Sequence, residues 1–152
     1  MFLRVKVTHP DALVPSFAYP GDAGMDLAVV EHVVLGPGEA ADLATGLRIE
    51  LPVGYWARIT GRSSTLRRRG LLINEGIIDN GYRGDLYVYA KNLNGHDAII
   101  MPGDRLAQLI LHPLTTPEVI TVDDLAPSHR GEAGFGSSGA GGSITRGEVA
   151  PW

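Results

Sequence analysis

Apolar and polar positions alternate in short bursts along this chain, with a period nearer two than 3.6. Leu3, Val5 and Val7 face one way and Arg4 and Lys6 the other, the pattern of a half-buried strand. His9-Pro10 ends it, and a proline-broken loop runs through Pro15 and Pro20. Further apolar stretches follow at residues 27–30, 32–35, 40–51, 55–59, 71–75, 86–90, 98–101, 106–111 and 119–122, separated by turn-forming residues. The 40–51 stretch reads as a strand pair broken near Thr45-Gly46. Residues 86–90 carry β-favouring side chains on both faces and read as fully buried. Asn80-Gly81 and Asn94-Gly95 are hairpin dipeptides, because a type I′ turn needs positive φ at both central positions. One stretch, residues 61–70, reads as a helix: a hydroxyl near its start for the cap, helix-tolerant residues inside, and Gly70 to end it. The pattern therefore predicts an all-β domain with one short helix.

Composition narrows this picture little and excludes a good deal. A length of 152 residues suits one domain with a real core. The 20 glycines and 10 prolines supply the turns that many short strands need. A net charge of −4 argues against a general electrostatic grip on nucleic acid, so no direct nucleic-acid binding is expected. With no cysteine there is no disulfide, thiolate nucleophile or thiolate metal site, which fits a reducing compartment. No apolar run approaches the roughly 20 residues that span a bilayer, and the alternating first residues do not read as a signal peptide. The expectation is a cytoplasmic protein without membrane contact.

Candidate chemistry gathers at a few places. Gly76-Ile77-Ile78-Asp79 leads one carboxylate into the Asn80-Gly81 turn, with Tyr82, Arg83 and Asp85 just beyond. Asp79 and Tyr82 would flank the turn and point into one pocket, although a lone carboxylate there also serves as a solvated turn former. Arg62 and Ser63, at a helix start, suit an anion. Arg67, Arg68 and Arg69 read as a solvated basic face or a contact with another subunit. Gln108 is an amide inside an apolar strand, either satisfied structurally or facing a ligand. Asp26 reads first as a strand-start carboxylate. The five histidines are dispersed without ligand spacing. Near the end, Phe135 stands among glycines with Arg130 five positions before it, the composition of an arm that closes over a flat, anionic ligand.

In order, Ala23-Gly24-Met25-Asp26-Leu27, Gly61-Arg62-Ser63-Ser64, Gly76-Ile77-Ile78-Asp79 with Tyr82-Arg83-Gly84, Pro102-Gly103-Asp104-Arg105-Leu106-Ala107-Gln108, and Arg130-Gly131 with Gly134-Phe135-Gly136-Ser137-Ser138-Gly139 resemble the five blocks of the homotrimeric dUTPase family. The resemblance covers residues 1 to about 139. It implies a jelly-roll-like distorted barrel over residues 1–127, a mobile C-terminal arm over 128–152, and a homotrimer with shared active sites. It implies hydrolysis of dUTP to dUMP and pyrophosphate with Mg²⁺. Asp79 would be the general base that activates water against the α-phosphorus. Tyr82 would lie under the deoxyribose; Asn74, Gly76 and Ile78 would meet the base. Arg62, Ser63, Ser64 and Gln108 would hold phosphate oxygens, Asp26 would reach the metal through water, and Arg130, Phe135, Gly136 and Ser137 would close the site.

Gly61-Arg62-Ser63-Ser64 also resembles the matching block of dCTP deaminases, some of which hydrolyse dUTP. The deaminating glutamate of that family falls on Tyr89, and no acid lies between Leu86 and Asn92. A deaminase, a bifunctional enzyme and a dUTPase-like regulatory binding protein are the alternatives. The tail beyond Gly139 is longer than the fifth block requires.

Overall fold

A computed structural model describes residues 1–129 and 131. The chain divides after Thr116. Among the described residues, all regular structure lies before that point: β1 (Arg4–Val7), β2 (Met25–Ala28), β3 (Val33–Leu35), β4 (Ala40–Glu50), β5 (Tyr55–Gly61), α1 (Ser63–Arg69), β6 (Leu71–Ile73), β7 (Gly76–Ile78), β8 (Asp85–Asn92), β9 (Ala98–Ile100) and β10 (Arg105–Pro113). They make two four-stranded antiparallel sheets, β1-β4-β8-β6 and β2-β10-β5-β7, and a ribbon of β3 and β9. This is the expected jelly-roll-like layout. Alternation builds it: Leu43, Leu47, Leu86 and Val88 of the first sheet and Leu27, Leu109 and Ile59 of the second turn into one apolar core with Ile100 of the ribbon. Buried Asn92 is fully satisfied there; its amide donates to the carbonyls of Leu35, Gly36 and His96 at 2.8, 3.1 and 2.8 Å.

Several sequence expectations need correction. The stretch read as a pair over residues 40–51 is one strand, Ala40–Glu50; the break near Thr45-Gly46 is a register irregularity between Ala44 and Arg48. β8 is buried on one face only, with Tyr87 and Tyr89 exposed on the other. Residues 71–78 divide into β6 and β7 in different sheets, with Asn74 at the bend. Neither Asn-Gly dipeptide makes a type I′ hairpin, since no non-glycine residue has positive φ and neither Gly81 nor Gly95 does. In both places the chain has to cross between sheets rather than fold back on itself, and the asparagine amide is used as a tether. Asn80 donates to the carbonyls of Pro52 and Tyr55 at 2.7 and 2.8 Å, and Asn94 donates to that of Arg69 at 2.8 Å. Residues 119–122 form no strand; Val119, Ile120 and Val122 are exposed, so alternation there has no partner to satisfy.

The helix ends as read, on Gly70 in the left-handed region (φ 62°). Its start differs: Arg62 is the N-cap without a side-chain cap bond, and the Thr65 hydroxyl donates instead to the Leu106 carbonyl at 2.7 Å. Among the described residues no helix is long and apolar enough to cross a membrane.

Candidate active site

One end of the β2-β10-β5-β7 sheet holds a cleft of roughly 400 Å³ lined by Tyr19, Asp22, Gly24, Asp26, Arg62, Ser63 and Gln108. The register explains the gathering. Asp26 lies directly opposite Gln108, and Gln108 opposite Thr60, so residues about 34 to 82 positions apart in sequence share one row across the strands. Gln108 faces the cleft and is also anchored: its amide donates to the Gly61 carbonyl at 3.2 Å. A Cβ on Gly24 would fall 2.5 Å from the Gln108 Oε1, so glycine there is what lets the amide sit against the backbone.

Asp26 is the charge centre of this cleft. Its side chain is only 10% exposed; Arg62 Nε reaches its Oδ1 at 2.8 Å, and an Arg105 terminal nitrogen reaches its Oδ2 at 3.6 Å. Arg62 also donates to the Arg105 carbonyl at 3.1 Å. Two guanidinium groups against one carboxylate leave a positive excess beside the Ser63 hydroxyl, which suits a polyanion. Ser64 is half-buried and does not line the cleft. Arg67 and Arg68 are exposed, while Arg69 pairs with Asp104 at 2.8 Å and so belongs to the fold's own bracing.

The second cluster stands apart. Asp79 is exposed, and its carbonyl accepts the Tyr82 N–H at 3.0 Å to close the turn. The Tyr82 ring lies over Gly84, where a Cβ would come within 2.3 Å of its hydroxyl, and that hydroxyl donates to the Asp85 carbonyl at 3.0 Å. Arg48 grips Asp85 with two donors at 2.8 and 3.0 Å. The side-chain hydrogen bond from Arg48 holds the Asp85 carboxyl below the usual carboxylate range, so this brace persists at neutral pH. Gly76 and Ile78 lie half-buried in β7, and the Asn74 N–H is already used on the Tyr89 carbonyl at 3.0 Å.

Asp79 and Tyr82 flank the turn as expected, but Asp79 does not line the cleft of Asp26, Arg62 and Gln108. Ile78 is opposite Ala57 while Gln108 is opposite Thr60. At about 3.3 Å per residue and about 4.8 Å between strands, Asp79 lies roughly 16 Å from Gln108 within one chain. Arg130, Phe135, Gly136 and Ser137 lie outside the described residues.

Sequence reading passed over two residues that line the cleft, Tyr19 and Asp22, and one that reaches its Asp26 from beside it, Arg105. Tyr19 and Asp22 are presented by a Pro20-Gly21 turn, closed by Asp22 N–H to the Tyr19 carbonyl at 3.2 Å, with Gly21 at φ 93°; proline then glycine was the available signal. For Arg105, the signal was two apolar residues in succession, Leu106-Ala107, before Gln108.

The dUTPase family model matches residues 11–139. A deoxyuridine 5′-triphosphate nucleotidohydrolase of Leifsonia xyli is 46% identical over 129 residues, covering 83% of this chain and 85% of that protein. Among solved structures, the dUTPase of Staphylococcus bacteriophage 80alpha with dUPNHPP is similar with a TM-score of 0.87 and 33% identity, covering 91% of this chain and 99% of the other. A mutant dUTPase from phage phi11 of S. aureus, whose structure reveals the coordination of a structural Mg(II) ion, is similar at a TM-score of 0.80 and 29% identity, over 84% and 100% of the two chains.

Proposed function

The chain belongs to the dUTPase family and is a dUTP diphosphatase, and we propose that it works through active sites shared between three copies, with Asp79 as the general base. The observation that carries the proposal is the separation of its two half-sites. The cleft of Asp26, Arg62, Ser63 and Gln108 has the donors for a triphosphate. Its carboxylates are already committed, Asp26 to the arginines and Asp22 to the Tyr19 N–H at 2.9 Å. The Asp79–Tyr82 turn has the base and the sugar platform, roughly 16 Å away by strand geometry. A neighbour's turn placed against this cleft supplies what each lacks. Then the cleft of one copy fixes the phosphates, Tyr82 of another supports the deoxyribose where a 2′-hydroxyl would clash, and Asp79 takes a proton from water attacking the α-phosphorus. The bend at Asn74 and the Gly76 and Ile78 backbone meet the uracil edge. Because the Asn74 N–H is spent on Tyr89, its side chain and carbonyl are what remain for the base. Arg130, Phe135, Gly136 and Ser137 close over the nucleotide.

The residues fit a magnesium ion held chiefly by substrate. Among the described residues no three His, Cys, Asp or Glu side chains converge, and Asp26 lies at the cleft with both oxygens already facing cations. That leaves it an outer-shell role through water. When bound, magnesium neutralises phosphate charge and fixes the triphosphate geometry. The absence of cysteine fits action in the cytoplasm.

The test is a panel of nucleotides. Pyrophosphate release is expected from dUTP and close to none from dTTP, dCTP or UTP; ammonia release from dCTP would instead establish the deaminase. Gly24→Ala is expected to raise KM for dUTP about tenfold with kcat changed less, because the new methyl displaces the Gln108 amide. Steady-state kinetics reads that split, and an unchanged KM would remove Gln108 from the phosphate site.

A further inference from the structure

The geometry points to Arg105 as a positioning residue: through Asp26 it sets the direction of Arg62 and supplies the surplus positive charge of the cleft. This rests on the functional reading above and goes beyond it. The first observation is a β-bulge. Gln108 opposes Asp26 and Ala107 opposes Leu27, so an unbroken ladder would put Arg105 opposite Val29, on the core side. Instead the register slips between Arg105 and Ala107, and Arg105 pairs with Ala28. Leu106 and Ala107 are then both fully buried, and Arg105 emerges on the face that carries Asp26. Bulges beside functional sites commonly re-aim a side chain in this way.

The second observation is how the bulge closes on Arg62. The Arg105 carbonyl accepts from Arg62, the Leu106 carbonyl accepts the Arg62 backbone N–H at 3.4 Å, and the Arg105 guanidinium faces the Asp26 oxygen that Arg62 leaves free. Asp26 is thus held from both sides, and Arg62 cannot turn without breaking a contact to it. A lone Arg62–Asp26 pair would be neutral and would offer phosphate little. The added Arg105 makes the group cationic while the Arg62 guanidinium stays fixed between Asp26 and the Arg105 carbonyl. The Arg105 contact uses one nitrogen at 3.6 Å, with its side chain 52% exposed. That is a task for charge rather than for a two-pronged fork, so lysine should do most of it.

The experiment compares wild type, Arg105→Gln, Arg105→Lys, Asp26→Asn and the double variant Asp26→Asn/Arg105→Gln. Kinetics with dUTP and magnesium are read beside calorimetric binding of dUPNHPP, so that affinity is measured without turnover. Arg105→Gln is expected to raise KM and the analogue Kd together by about five- to tenfold, with kcat reduced less than threefold. Arg105→Lys should return to within about twofold of wild type. In the Asp26→Asn background the Arg105→Gln change should have a clearly smaller effect than in wild type, since the positioning part of its role runs through that carboxylate while the loss of one positive charge remains. A purely bracing role would move the unfolding temperature and leave this KM-against-kcat split and the lysine rescue unexplained. Wild-type KM and Kd in Arg105→Gln would overturn the inference while leaving the dUTPase reading intact. So would an undiminished effect in the Asp26→Asn background, which would make Arg105 a direct substrate contact. Wild-type protein without dUTP turnover would overturn both.

Discussion

Asp79→Asn is expected to lower kcat for dUTP by about 10²- to 10⁴-fold while leaving dUPNHPP binding within a few-fold of wild type. The amide keeps the shape of the carboxylate but cannot accept the proton that attacking water must lose. Fold damage is not a competing cause. Asp79 is exposed, and its backbone carbonyl rather than its side chain closes the turn to Tyr82. Surface substitutions of this kind usually change stability by less than about 0.5 kcal/mol. Pyrophosphate release, calorimetry with the analogue and a thermal melt separate chemistry from binding and from folding. If the variant kept the wild-type rate, another group would have to be the base. The Arg48–Asp85 brace keeps Asp85 occupied, so the next acid in the same turn is a poor substitute.

The fold was legible where one face of a strand meets the core and the other does not. β1 and β5 follow from alternation, β10 from its apolar run, and β2 begins two residues before the run at 27–30 that announced it; Gly70 marks the helix end because only a residue free to enter the left-handed region closes that turn without strain. Local signals failed where tertiary routing outweighs them. Asn80-Gly81 has the composition of a primed turn, yet the chain there leaves one sheet for the other, and tethering to Pro52 and Tyr55 holds the asparagine at negative φ. Residues 119–122 alternate like a strand, but a strand needs an edge to pair with, and sequence does not say whether one is supplied. The candidate site was legible as residue types: Asp79 beside Tyr82, Arg62 beside Ser63, an amide at 108. Its connectivity was not. That Asp26, Gln108 and Thr60 form one row, with Arg62 just past the end of β5 and Arg105 swung beside Asp26 by a bulge, depends on register, and a one-residue slip reverses every side chain.

An equimolar mixture of Asp79→Asn and Arg62→Gln chains, co-refolded, is expected to regain about a quarter of wild-type activity although each variant alone is nearly inactive. The fraction follows from sharing. If a site takes Asp79 from one copy and Arg62 from another, it is intact only when the first position holds an Arg62→Gln chain and the second an Asp79→Asn chain. With random assembly each has even odds, so about one site in four is complete. A site built within one chain gives the opposite result, because every copy then carries one defect or the other and mixing restores nothing. The register-based separation of roughly 16 Å between Asp79 and Gln108 favours the shared site. The reacting atoms must come within about 3–3.5 Å of one another, and a base so far from the phosphate-holding groups of its own chain is better placed to serve the cleft of a neighbour. Titrating the mixing ratio sharpens the test. Activity should follow the product of the two chain fractions and peak at equal amounts, whereas activity that stayed near zero at every ratio would return both half-sites to a single copy and require the β7–β8 turn to fold over its own cleft.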